Sequence, residues 1–295
     1  MSLTLTAILA AIMSWWFATG AIILVARWGQ KHELVSMTLM SFVGAAGLFG
    51  LYQSASDNSV MGVYHAFASA LAVWAWHEAA FLLGVVTGPR KIALSEGASG
   101  LTRFKQAYET IRDHEFSLFV TLFILVLVLT GSQNHMGLLT FALMWIMRLS
   151  TKLNVFLGAP NAVSEILPKR LSYLTSYFCT NRISPFFWYS MTFTAALFFG
   201  LVGAAMNATQ DSALVGLVLL GSFAALAVIE HLFLVLPIRD ADLWAWFLPT
   251  KKTAREKIAV VATSMADEFN VNDNINKPRI DKLAKPLQRG KISWT

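Results

Sequence analysis

Three histidine–glutamate pairs carry the residue types in this chain best suited to chemistry: His77–Glu78, His114–Glu115 and, reversed, Glu230–His231. Imidazole with carboxylate suits zinc or iron, and imidazole alone holds the metal of a haem or chlorophyll. Adjacent residues on a helix point about 100° apart, so a pair does not readily give both side chains to one ion. One residue from each pair is the arrangement to look for. The candidates for a metal are His77, Glu78, Glu115, Glu230 and His231, and those for the metal of a haem, chlorophyll or other tetrapyrrole are His77, His114 and His231. A third reading needs no cofactor. Each acid pairs with a histidine or with a cation such as Arg90, Arg112, Arg148 or Lys152, and Asn154 joins a polar network that neutralises buried charge and fixes helix register. His114 and Glu115 also read as helix-start residues, where carboxylates are favoured.

The spacings that would identify a catalytic centre are absent. The chain has no HExxH, HxxxH, HxxHH or CxxCH, and no GxSxG or Gly-rich phosphate loop. On this ground the reading leans away from an enzyme. Of the other histidines, His32 sits among polar residues, while His65 and His135 fall toward the opposite end of their segments. His65 and His77 are about 18 Å apart along one helix, too far to serve one metal. The same rise puts His77 about 15 Å deeper than His114.

The elements that hold these residues follow from composition. Of 295 residues, 56% are hydrophobic and 14% charged, against roughly 25% charged in soluble domains. Soluble helices would show amphipathic stripes, whereas the runs here are apolar all round. Seven such segments are expected to be transmembrane helices: 6–26, 34–52, 60–86, 115–131, 136–157, 186–206 and 213–236. The fold class is all-α, a polytopic integral membrane protein. The lone Cys179 excludes an internal disulfide framework. The first segment lacks a positive n-region and a cleavage site, and is expected to be a retained anchor.

A net charge of +6 invites a nucleic-acid reading, and its distribution excludes one. All 23 Lys and Arg fall in alternate loops, at the end of the fifth segment or in the tail: Arg27 and Lys31, then Arg90 to Arg112, then Arg148 to Arg182 around the fifth segment's end and the loop after it, then Arg239 onward. The opposite loops carry only Asp57 and Asp211. This alternation puts the N-terminus outside and the C-terminus in the cytoplasm.

Within that frame, Trp15, Trp16 and Phe17 lie too deep for an interfacial belt and are expected to pack on neighbouring helices. Gly44, Ala46, Gly47 and Gly50 permit close approach of the second span. The third span, 27 residues or about 40 Å, exceeds the hydrocarbon core and is expected to stop at Pro89. The stretch LTRFKQAYETIRDHE looks helical and extends the fourth span. Between spans five and six, Ile166 to Phe178 places Leu167, Leu171, Leu174 and Phe178 opposite Lys169 and Arg170, the pattern of an interfacial helix near anionic lipid. Trp244 and Trp246 are expected interface anchors. Residues 1–249 form the transmembrane domain and 250–295 a basic, polar cytoplasmic tail.

Several segments together resemble one family: WHEAAFLLGVVTGPRK, the DHE opening the fourth span, MWIMRLSTKLNVFLGAPN, LPKRLSYLTSYF, and EHLFLVLP with DADLWAW. In this order, over roughly residues 10 to 248, they are similar to the PuhE family of photosynthetic complex assembly proteins. The resemblance implies a multi-pass protein of the inner or intracytoplasmic membrane of anoxygenic phototrophs. It also implies a role in assembling the reaction centre and core light-harvesting antenna, with those polypeptides, other assembly factors and membrane lipids as partners. The family is associated with bacteriochlorophyll supply, which makes bacteriochlorophyll a ligand class for the histidines, and it supplies no catalytic residues. Two rivals remain: a metal-dependent enzyme of tetrapyrrole or carotenoid metabolism using iron or zinc, and a tetrapyrrole carrier or transporter.

Overall fold

The computed structural model describes residues 2–162 and 167–237. Among them all regular structure is helical: α1 Leu3–Trp28, α2 Glu33–Ser54, α3 Val60–Leu82, α4 Gly100–Leu129, α5 Met136–Leu157, a 3-10 helix Lys169–Tyr177, α6 Pro185–Met206 and α7 Asp211–Phe233. Each expected apolar segment has its core in one α-helix. Trp244, Trp246, the tail and the start of the helix expected at Ile166 lie outside the described residues.

Local chemistry sets the helix starts. Ser2, Ser59 and Ser184 each cap a helix with the side-chain oxygen, accepting from the backbone N–H of Leu5, Gly62 and Phe186 respectively. Pro185, at the first position of α6, gives up no needed N–H there. By length and composition, five helices can cross a bilayer: α1, α2, α5, α6 and α7. They mark a multi-pass membrane protein. α3 and α4 are diluted by the polar residues of interest here and, in α4, by the amphipathic stretch that precedes its apolar half.

α3 is the centre of the packing, set against α1, α2, α4, α5 and α7. α2 approaches it closely because Gly47 has no side chain: a Cβ there would stand 2.7 Å from the Ser69 carbonyl oxygen. One apolar cluster joins Ala7, Phe67, Met147 and Phe223 from α1, α3, α5 and α7, and a second joins Val73, Leu118 and Phe141 from α3, α4 and α5. α6 packs on α7 and touches α5. The remaining outer faces are apolar and compatible with lipid, with Phe42, Phe116, Trp188 and Phe199 among the exposed side chains.

Three expectations need correction. The third helix ends at Leu82, not at Pro89. Gly84 takes φ +73°, and the amides of Val85 and Val86 both turn back to the Ala80 carbonyl, closing the helix four residues short of the expected span end at Val86. The segment after α5 is a 3-10 helix, not an α-helix. Leu171, Leu174 and Tyr177 recur every third residue, the period of that helix, and the two leucines bury against Phe81 of α3. Arg170 turns back to donate to the carbonyls of Leu83 and Gly29 and to Glu33, tying the ends of α1 and α3 to the start of α2. Finally, α4 runs unbroken from Gly100, so His114 and Glu115 sit in mid-helix and do not start it.

Candidate functional site

α5 gathers the polar residues. Its sequence MRLSTKLN places Arg148 and Lys152 one turn apart on one side, and Ser150 and Asn154 one turn apart on another. From α3, Glu78 receives a hydrogen bond from Arg148 Nη2 at 3.1 Å. From α4, Glu115 receives Lys152 Nζ at 2.5 Å and the indole N–H of Trp145 at 3.0 Å. From α7, His231 meets the Ser150 hydroxyl at 2.8 Å. From α6, Ser190 accepts from the Asn154 amide at 2.9 Å. Four helices are thus pinned to one.

The hydrogen-bond inventory assigns the histidine tautomers. Ser117 donates its single proton to the His114 carbonyl at 2.8 Å, so it accepts from His77 Nδ1 at 3.2 Å. In the neutral ring Nε2 then accepts from Thr121, 3.0 Å away. His231 Nδ1 donates to the Ala227 carbonyl at 2.7 Å, which leaves Nε2 to accept from Ser150. Both lone pairs are occupied by hydroxyls. His114 differs: its side chain is completely buried, neither ring nitrogen has a hydrogen-bond partner among the described residues, and the ring lies 4.6 Å from that of Phe81.

The cofactor sets distribute accordingly. His77 faces α4, His231 faces α5, and His114 packs behind Phe81. Glu78, Glu115 and Glu230 go to different partners, Glu230 accepting from the Trp15 indole at 3.1 Å. Among the described residues no group of three or more His, Cys, Asp or Glu is placed to hold a metal ion. Of the proposed network, Arg148, Lys152 and Asn154 all lie on α5. Arg90 is apart from them, donating to the Tyr177 hydroxyl at 2.8 Å and to Ala93 and Ser95 in its own loop. Arg112 pairs with its neighbour Asp113. Sequence reasoning missed Ser117, Thr121, Ser150, Trp15 and Trp145, because hydroxyl and indole partners have no spacing signature of their own.

Beside this cluster lies a cavity of about 450 Å³, within the range of ligand pockets. Its walls come from α1, α3, α4, α5, α7 and the 3-10 helix, and they are mostly aromatic and aliphatic. The charged lining is Glu78, Arg148, Lys152 and Glu230.

The model of the family described as "Protein of unknown function (DUF3623)" matches residues 1–255. The chain belongs to this family. A relative from Rhodobacter capsulatus, named "Uncharacterized 30.4 kDa protein in puhA 5'region", is 38% identical over 259 residues, 85% of this chain and 93% of its own. No solved structure matches. The family match takes in every described helix, so the α5 cluster and the cavity both lie within it.

Proposed function

We propose that this protein is a non-catalytic assembly factor for photosynthetic complexes, the PuhE member of its family, serving the reaction centre and its core light-harvesting antenna. The observation that carries the reading is the relative named for its place in the puhA 5' region, a photosynthesis gene region, matched along nearly its whole length. The α5 cluster is consistent with it. The carboxylates, His77 and His231 hold helices together, an arrangement suited to a rigid scaffold for other membrane helices.

In this reading all seven α-helices span the inner or intracytoplasmic membrane, with the N-terminus outside and the C-terminus cytoplasmic. The 3-10 helix lies at the cytoplasmic interface, and residues 250–295 form a basic cytoplasmic tail. Deleting the gene in its host and measuring reaction-centre absorbance per cell tests the function: a reduced level is expected, and a normal level sinks the proposal. Reporter fusions at residues 57 and 133 (expected outside) and at 96 (expected cytoplasmic) test the topology. A reversed pattern would overturn the orientation without touching the assembly role.

A further inference from the structure

α4 is the longest described helix, 30 residues or about 45 Å, the thickness of a hydrocarbon core together with its headgroup layers. The core alone takes about 20 residues, and counting back from Leu129 that reaches Thr110. The turns around Thr110, from Lys105 to Arg112, therefore stand at headgroup level. One exposed stripe runs through both parts of the helix. Phe104, Tyr108, Arg112, Phe116, Phe119 and Phe123 follow one another at intervals of three or four, so they share a side of α4. The part of the stripe from Phe116 onward is compatible with lipid, and its continuity carries the same side up among the headgroups. Leu101, 81% exposed, lies on this side one turn further out.

The side chains at headgroup level suit that place. Aromatic rings with a polar tip, such as Tyr108, and long cations with apolar stems are favoured at the membrane interface. Lys105 is exposed and has no ion pair among the described residues. Arg112 donates to Asp113 at 2.9 Å, yet its side chain stays half exposed. Of the nearby acids, Asp113 is thus already paired, and Glu109 is partly buried. Arg103 takes no part, because it turns inward to the carbonyls of Phe156 and Tyr177. The 3-10 helix offers no equal face to lipid: its leucines pack inward, and Arg170 is turned into the bundle.

We propose that Lys105, Tyr108 and Arg112 bind the headgroup of an anionic phospholipid of the cytoplasmic leaflet, with its acyl chains along Phe116 and Phe119. The cations face the lipid phosphate, and the tyrosine ring lies at the boundary between headgroup and chain. This rests on the reading that α4 spans the membrane with Gly100 on the cytoplasmic side, and it is independent of the assembly role.

The test uses the full-length protein in nanodiscs of equal parts phosphatidylglycerol and phosphatidylcholine. Photoreactive p-benzoylphenylalanine is placed at position 108 or, as a reference within the hydrocarbon, at position 123, and mass spectrometry identifies the lipid attached. Position 123 should capture both lipids. Position 108 should capture phosphatidylglycerol about fivefold over phosphatidylcholine, the scale of one cation at a membrane surface. Lys105→Gln/Arg112→Gln, which changes two exposed side chains, should bring that ratio to parity, and Lys105→Arg/Arg112→Lys should keep it. Parity in the parent protein, or a preference unchanged in the glutamine variant, would overturn the proposal. Capture of a polypeptide at position 108 would overturn it in favour of a protein partner. Lipid captured at 123 and none at 108 would mean that the stripe leaves the membrane below Arg112, ending the proposal while the span stands. No lipid at either position would remove the span itself, and the proposal with it.

Discussion

α5 and α6 have the same length, 22 residues, and solve the problem of living in a bilayer in opposite ways. α5 carries Arg148, Lys152, Ser150 and Asn154, and each finds a partner on another helix. α6 carries no charge. It buries only Phe187, Ser190 and Thr194, and it turns Trp188, Tyr189, Phe193 and Phe199 outward. Its Gly200 and Gly203 would admit a Cβ with nothing within 4 Å. The contrast teaches where specificity lives. Lipid solvates an apolar face as well as protein does, so α6 gains little from one neighbour over another. A buried ion is costly anywhere but beside its counterion, so α5 has one acceptable rotation about its axis.

The strongest way to break the contrast is to strand an ion. Lys152→Met leaves the Glu115 carboxylate buried with, among the described residues, only Trp145 as donor, and thermal unfolding in detergent should show a loss of about 3–5 kcal/mol. Adding Glu115→Gln should restore most of it. A double variant as unstable as the single would mean the lysine acts through packing. Asn154→Leu removes the α5–α6 hydrogen bond to Ser190 and should cost about 1 kcal/mol, the usual worth of such bonds between membrane helices. Phe199→Ala, on the outer face of α6, should change stability by less than about 0.5 kcal/mol. A larger loss would show that α6 docks on something, for example a second copy of the chain.

The smallest effect lies outside both helices, at the turn before α3. The Ser59 backbone N–H donates to Asp57 Oδ1 at 2.9 Å and holds this carboxyl below its ordinary value of 3.8. A lowered native pKa means the unfolded chain binds the proton more readily. The contribution is therefore complete above the ordinary carboxylate range and fades as pH falls through the native pKa. Asp57→Asn should lower stability slightly at neutral pH, leave it almost unchanged at low pH, and so flatten the acid limb of a pH–stability curve.

Much of the fold was legible because its elements are long and uniform. Seven apolar runs became seven helices, and the helical reading of the stretch before the fourth run matched the unbroken α4. The early end of α3 was less visible, since Val85 and Val86 look as apolar as the residues before them and only the left-handed Gly84 turns the chain. The leucines at 171 and 174 suit an α-helical face loosely and a 3-10 face well, and contact with Phe81 decided between them. At the site, the acids and cations were readable as a set, but the pairing was not. Nothing in the spacing assigns Arg148 to Glu78 and Lys152 to Glu115, or His77 to two hydroxyls of α4.

By itself the sequence determined that the chain is helical and where most helices lie, because a backbone in hydrocarbon must satisfy its own hydrogen bonds and an apolar run has no better way to do so. The three His–Glu pairs were equally plain as residues that needed partners. Which partners they received was decided only by the tertiary structure. One turn of α5 presents different side chains every 100°, so the rotation and depth of each neighbouring helix determine which charge meets which. They also determine that Arg148 lines a cavity.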